Sequence, residues 1–471
     1  MLNVHLRITD AATNRPTPVR VRVTAPDGAH FPPLGWSAEF PTGRGEDVGG
    51  RVRFGRECWW YIDGGCEIPL PAGVPLRVQA SKGPEFTPLD ETVTLGAGQM
   101  ALRFAVSRWA DARAEGWHRI DTRCHFISPH AALLEARAED LDVVNLLAAP
   151  HPLLAMDGNT YATTPNLLAF SGQAPAVERD GCAVAVNTFN AHPVLGKVAL
   201  LHTHRPVFPL AFGGADADDW GVCDWCDQCR RKRGLTVWAD AFEAAGGVTG
   251  GEALVAAVLG KIDAVEVTDG PREAPLLPWV YRLWDAGVRV ALVGASGKDC
   301  NKVALGGVRT YVEVKNPPEG PSPAAATDPV PWPEAVRAGR TFVTAGPLLT
   351  VARDGARVRA TARLRGGPAP VELVANGAVV ASGSGSAEAV VPDPGWVAAR
   401  CPPPGAFAHT SPLVLGAPAR QPAAVAALRK LISQVGEWAD AHGRYADPKR
   451  KAALLGRCAA AARALEPEGG P

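Results

Sequence analysis

The sequence predicts an α/β body set between two β-regions and closed by a helical hairpin, and three observations carry that prediction. Residues 1–107 hold short runs of alternating apolar and polar residues broken by Gly and Pro, the pattern of half-buried strands. From Gly116 to Pro347, apolar strand-like runs alternate with helical patterns, as in sheets built from βαβ units. Between residues 421 and 466 the apolar residues recur at helical spacing.

In chain order, Leu2, Val4, Leu6 and Ile8 alternate with polar residues, and so do Val19, Val21 and Val23. Later runs at Cys58–Ile62, Leu76–Ala80 and Met100–Val106 complete an immunoglobulin-like or transthyretin-like sandwich. The cluster Trp59-Trp60-Tyr61 suits a sandwich core or an inter-domain contact better than a sugar-binding platform. Ser107–Glu115 is a charged connector. The α/β domain, residues 116–347, opens with a strand ending Asp121-Thr122-Arg123-Cys124-His125, then a helical run from Ala131 to Glu139 and a buried strand from Leu141 to Ala148. Further strands are expected at Ala183–Asn187, Val198–His202, Leu235–Trp238, Ala264–Val267, Val288–Val293 and Val308–Val314. Helices are expected at Asp219–Arg231, Gly251–Leu259 and Pro278–Ala286. Such alternation implies parallel pairing through crossover helices. The Pro- and Ala-rich stretch 315–331 reads as a surface loop. A second β-region, 348–418, has Asn376-Gly377 as a hairpin turn. In the tail, Val425, Leu428, Leu431, Ile432, Val435 and Trp438 mark one helix, Gly443 breaks it, and a second begins near Pro448.

Composition narrows the function. The formal net charge is zero and no long basic run occurs, which argues against a nucleic-acid surface. The longest apolar runs, such as Val288–Ala295, are too short to span a membrane. The opening MLNVHLRITD has no secretory signal pattern. The ten cysteines are expected to be mostly reduced, which places the protein in the cytoplasm.

Several motifs weaken on inspection. Cys223, Cys226 and Cys229 are spaced C-x-x-C-x-x-C, but no fourth ligand follows at matching spacing, and a helix would carry all three on one half as buried thiols. Gly294-Ala295-Ser296-Gly297-Lys298 lacks the second glycine of a nucleophile elbow, and Asp299 stands where a phosphate loop needs Ser or Thr. His202 and His204 share a strand face and read as hydrogen-bonded loop residues or as spare imidazoles.

The stretch Gly116–Ala148 carries the chemistry. Alternation along its strand sends Asp121, Arg123 and His125 to one side, at the strand's C-terminal end, where α/β enzymes place their chemistry. This D-T-R-C-H segment resembles the D-x-H-x-H strand of the CehA/McbA-type metallohydrolases, a branch of the PHP (polymerase and histidinol phosphatase) superfamily. The resemblance implies a distorted seven-stranded (β/α) barrel and a metal-dependent hydrolase of esters or phosphoesters. Further on, Leu195-Gly196-Lys197 answers to L-G-H, Ala239-Asp240-Ala241 to A-H-P, and Gly297-Lys298-Asp299-Cys300-Asn301 to G-x-D-x-H. Glu266 matches an acidic strand position, and where T-D-H is expected the nearest histidine is His151. The family's histidines are thus replaced by Arg123, Lys197, Asp240 and Asn301. Arg123 cannot ligate a metal because it stays protonated.

Two readings follow from the resemblance. In the first, His125 with Asp240, Glu266 or Asp299 holds one divalent ion, zinc or manganese, beside Asp121, Arg123 and Lys197 as catalytic groups. In the second, Arg123 and Lys197 stand where metal once stood. The pocket is then metal-free and binds a phosphate, carboxylate or other small anionic ligand, or is a paired acid–base network in a structural protein.

Overall fold

A computed structural model describes residues 1–35, 48–154, 160–213, 217–268, 276–314, 332–403, 405–416 and 420–466, without the side chains of 151–154 and 160–163. The expected loop at 315–331 and the His151 side chain therefore lie outside the described residues. The molecule is mixed α/β and rich in strand.

In the N-terminal region two sheets face each other. One has the order Gly65–Leu70, Leu2–Asp10, Ala101–Arg108, Phe86–Thr87; the other Arg51–Phe54, Glu57–Ile62, Val19–Thr24, Pro75–Ser81, Leu89–Thr94. The period-two pattern works as expected. Val4, Leu6 and Ile8 of the first sheet share a core with Val19, Val21, Val23, Leu76 and Val78 of the second. Each fully buried Val or Leu is worth about 1.5–3 kcal/mol relative to exposure.

Fifteen strands form the largest sheet. Strand Trp117–Cys124 sits at its middle and runs parallel to Val143–Ala148, which runs parallel to Cys182–His192. The helix between the first two is Pro129–Ala138. It starts ahead of the apolar run because the Ser128 hydroxyl accepts from the Ala131 amide at 3.2 Å and Pro129 opens the first turn. Parallel pairing then stops. Cys182–His192 and Gly196–Leu201 are antiparallel, as are Gly196–Leu201 and Leu235–Ala239. Only Pro193, Val194 and Leu195 link the first pair, far too short a link for a crossover. Parallel order resumes from Leu235–Ala239 to Ala264–Val267 and Ala291–Gly294. On the opposite edge Arg309–Glu313 and Thr341–Thr344 add antiparallel strands. The expectation of parallel pairing throughout is thus corrected.

Among the described residues no backbone ladder joins Ala291–Gly294 to Thr341–Thr344, so a closed seven-stranded barrel is not what the hydrogen bonding draws. Hydroxyls lace these strands instead. Thr122 and Thr310 donate to the Gly294 carbonyl at 3.1 and 3.0 Å, and Thr341 donates to the Leu292 carbonyl at 2.8 Å. Gly294 is required by the close approach, since a Cβ there would sit 2.6 Å from Val343 and 2.7 Å from the Arg309 carbonyl.

The C-terminal β-region extends the same sheet. Thr341–Thr344 pairs with Ala408–Thr410, and Gly395–Cys401, Pro370–Ala375 and Ala378–Ser384 follow. Its other sheet, built on Leu348–Asp354 and Arg357–Leu364, packs Leu349, Val358 and Ala360 against Val371, Leu373 and Val397. Asn376 and Gly377 both take positive φ in the hairpin turn, as such a turn demands. Helices Pro422–Ala441 and Pro448–Ala464 form the tail. Leu428, Leu431, Ile432, Val435 and Trp438 are buried with Leu254, Val280 and Leu283 of the α/β body. Arg457 fixes the second helix by pairing with Asp224 and with buried Glu252, the latter at 3.0 Å.

Polar groups also join the sandwich to the α/β body. Arg119 forks onto Asp142 at 2.8 and 2.9 Å and pairs with Asp140, while Arg108 bridges Glu85 and Asp140 at 2.9 and 2.8 Å. Tyr311 donates to Glu85 at 2.8 Å, and Tyr61, from the aromatic cluster, donates to Glu139 at 2.9 Å. Arg119→Met is expected to cost about 3–5 kcal/mol, because it strands buried carboxylates. Urea unfolding monitored by tryptophan fluorescence measures it. Arg357→Ala, in an exposed pair, should leave the midpoint in place.

Candidate functional site

The site forms where strands Trp117–Cys124, Leu235–Ala239 and Ala264–Val267 end and Gly196–Leu201 begins. A register shift between Asp121 and Cys124 bends the first strand there. Asp121 is fully buried and does not face solvent. Its carboxylate accepts the amides of Ser296 at 3.0 Å, Arg123 at 3.2 Å and Gly306 at 2.8 Å. Burial raises its pKa, while those amide bonds pull the other way. Gly306 must be glycine, with φ at +63° and room for a Cβ taken by Leu141 at 2.9 Å. Asp121 is therefore an anchor for the loop after Ser296.

Arg123 is the hub. Its Nε donates to both oxygens of Glu266, at 2.9 and 3.1 Å, and one Nη lies 2.7 Å from Glu266 and 3.2 Å from Asp240. The two-pronged partner is thus Glu266, with Asp240 as the second acid. Burial works against the guanidinium's charge, but Glu266 and Asp240 hold its pKa above the ordinary value. Burial pushes the Glu266 carboxyl up to about 7, with Arg123 opposing. Asp240 is lowered: burial would raise it, and Arg123 and Lys197 outweigh that.

Lys197 donates to Asp240 at 2.9 Å and to Glu243 at 2.7 Å. Its side chain is about one-third exposed, so it closes the network at the surface. Glu243 carries no motif that singles it out. It arrives because Asp240 and Phe242 both take positive φ, folding the chain back after the strand.

His125 lies just beyond the strand. Its Nδ1 is 3.2 Å from the Leu147 carbonyl, and its ring and the Arg123 guanidinium both lie against Phe189, at 5.2 and 5.4 Å. Burial, then Arg123, lowers its pKa to about 3. Asp299 departs from expectation: it is exposed and makes no contact with these carboxylates among the described residues. Neighbouring Lys298 turns inward, fully buried, donating to the Val303 carbonyl at 2.9 Å and lying 3.4 Å from Glu135. Asn301 accepts the Gly49 amide at 2.9 Å, tying the sandwich to this loop.

His202 and His204 follow the far end of Gly196–Leu201, opposite Lys197, and do not join the site. Cys223, Cys226 and Cys229 are buried in helix Val222–Arg231, and all ten cysteines are free thiols. Among the described residues no group of three or more His, Cys, Asp or Glu is placed to hold a metal ion. The donors that the family resemblance offers do not fit one: Glu266 and Asp240 are turned onto Arg123, and Asp299 points away. No helix among the described residues is long and apolar enough to cross a membrane. Comparison with family models, curated proteins and solved structures gives no match to this chain.

Arg123→Ala should destabilise the fold by about 3–5 kcal/mol, since buried Glu266 loses its partner; chemical denaturation reads this directly. His125 gives a pH dependence. Its folded value is lowered from 6.5 to about 3, so its contribution is present above pH 6.5 and lost as pH falls toward 3. The slope reaches about 1.4 kcal/mol per pH unit. In unfolding titrations across that window, His125→Gln should lose stability less steeply than wild type.

Proposed function

We propose that this chain is a CehA/McbA-like scaffold of the PHP type, its sheet from Trp117 to Thr344 an opened relative of the distorted barrel, in which the metal centre has been lost. In this reading the protein is a non-catalytic structural or binding protein. The observation that carries it is the Arg123 guanidinium spanning Glu266 and Asp240. A fixed organic cation there supplies the charge compensation that a dication supplies in a hydrolase, without an exchangeable water to activate. Lys197, between Asp240 and Glu243, acts in the same sense at a second family position. The two cations meet three carboxylates, so this network has no spare positive charge and is itself a poor anion site. Ten free thiols fit a reducing, cytoplasmic setting.

Calorimetric titration of the purified, chelator-treated protein with zinc and manganese tests the reading. No stoichiometric binding is expected, and Arg123→His should hydrolyse 4-nitrophenyl phosphate and acetate no faster than wild type, because Lys197, Asp240 and Asn301 still stand at the other positions. One-to-one binding at micromolar affinity or tighter would overturn it and restore the one-ion hydrolase.

A further inference from the structure

Beside the Arg123 network a cleft of about 490 Å³ runs between the sandwich and the α/β body, with Arg365 of the C-terminal β-region at its rim. Its floor is the C-terminal end of the sheet. Thr268 follows Ala264–Val267, Ser296 follows Ala291–Gly294, and the Gly306–Arg309 segment leads into the edge strand. Ligands of open α/β sheets bind at this end, and the volume suits a small organic molecule.

The charge of the lining is unbalanced. Arg20, Lys302, Arg309 and Arg365 line it, and among the described residues Glu139 is the acidic side chain that does. Glu139 is already taken, paired with Arg20 and accepting from Tyr61 at 2.9 Å. Arg309 is about one-twentieth exposed. Its Nε donates to the Gly306 carbonyl at 2.7 Å and an Nη to the Glu139 carbonyl at 2.8 Å. No carboxylate lies within ion-pair distance of it among the described residues. A buried cation held only by carbonyls is an incomplete arrangement, because buried charges are ordinarily paired. Lys302 and Arg365 stand exposed at the rim of the same cleft.

We propose that this cleft binds an organic phosphate, whose dianion supplies the counter-charge for Arg309, Lys302 and Arg365. Guanidinium forks match phosphate oxygens in geometry, and three uncompensated cations favour a dianion over a single carboxylate. The site is distinct from the Arg123 network and independent of the loss of metal there, so each can fail without the other.

Isothermal titration of the intact chain at low ionic strength, with inorganic phosphate, glycerol 3-phosphate and malonate, tests it. Both phosphates are expected to bind in the micromolar-to-millimolar range, tighter than malonate, and to weaken as salt is added. Lys302→Ala and Arg365→Ala should each weaken phosphate binding by about fivefold or more, and together abolish it, with unchanged melting temperature. Arg231→Ala, on a distant helix end, should leave it unchanged. Absence of phosphate binding, binding unaffected in the double variant, or malonate binding tighter than phosphate would overturn the proposal.

Discussion

Arg123 brings a permanent positive charge to the point where Glu266 and Asp240 converge, and much of this end of the molecule follows from that. Glu266 is wholly buried, a placement that a glutamate keeps only if something compensates its charge or its proton. The guanidinium does so with several short N–H···O contacts. It also pairs with Asp240 at 3.2 Å, which offsets the repulsion between the two carboxylates. Lys197 then caps Asp240 from the solvent side. The two cations and three carboxylates are mutually hydrogen-bonded, which ties the strand ends together.

The loop after Gly294 shows the same economy. Here Asp121 fastens it through the Ser296 and Gly306 amides, Lys298 plugs into the interior beside Glu135, and Asn301 holds the Gly49 amide of the sandwich. Of these, the Asn301 bond crosses the joint to the sandwich, while the Asp121 and Lys298 contacts fasten the loop within the α/β body. That joint also shapes the adjoining cleft, whose walls come from the sandwich on one side and from the strand ends on the other.

The strands and helices of the α/β body were legible because their apolar periods are long and their caps are local. Ser128-Pro129 and Asn376-Gly377 do their work within a few residues. Pairing direction was less legible. It depends on the length of a connection, and strands read as Ala183–Asn187 and Val198–His202 leave a long gap where the structure has only Pro193–Leu195. That the C-terminal strands extend the central sheet could not be read either, since an edge leaves no mark on the strand that will meet it. Within the site, Arg123, His125, Lys197, Asp240 and Glu266 stood out as charged or titratable residues at or beside the ends of apolar strand runs. Asp299 stood out equally, but Gly297, with φ at +60°, turns the chain so that Lys298 faces inward and Asp299 outward. Glu243 and buried Arg309 enter through turn geometry and tertiary packing, which no spacing rule records.

The central claim is that a guanidinium occupies the place of a metal ion. Diffraction from crystals grown with excess manganese or zinc, recorded at the absorption edge of that metal, tests it most directly. The account predicts density for Arg123 bridging Glu266 and Asp240 and no anomalous peak within coordination distance of His125, Asp240 or Glu266. An anomalous peak ligated by those residues, with Arg123 displaced from Glu266, would contradict it.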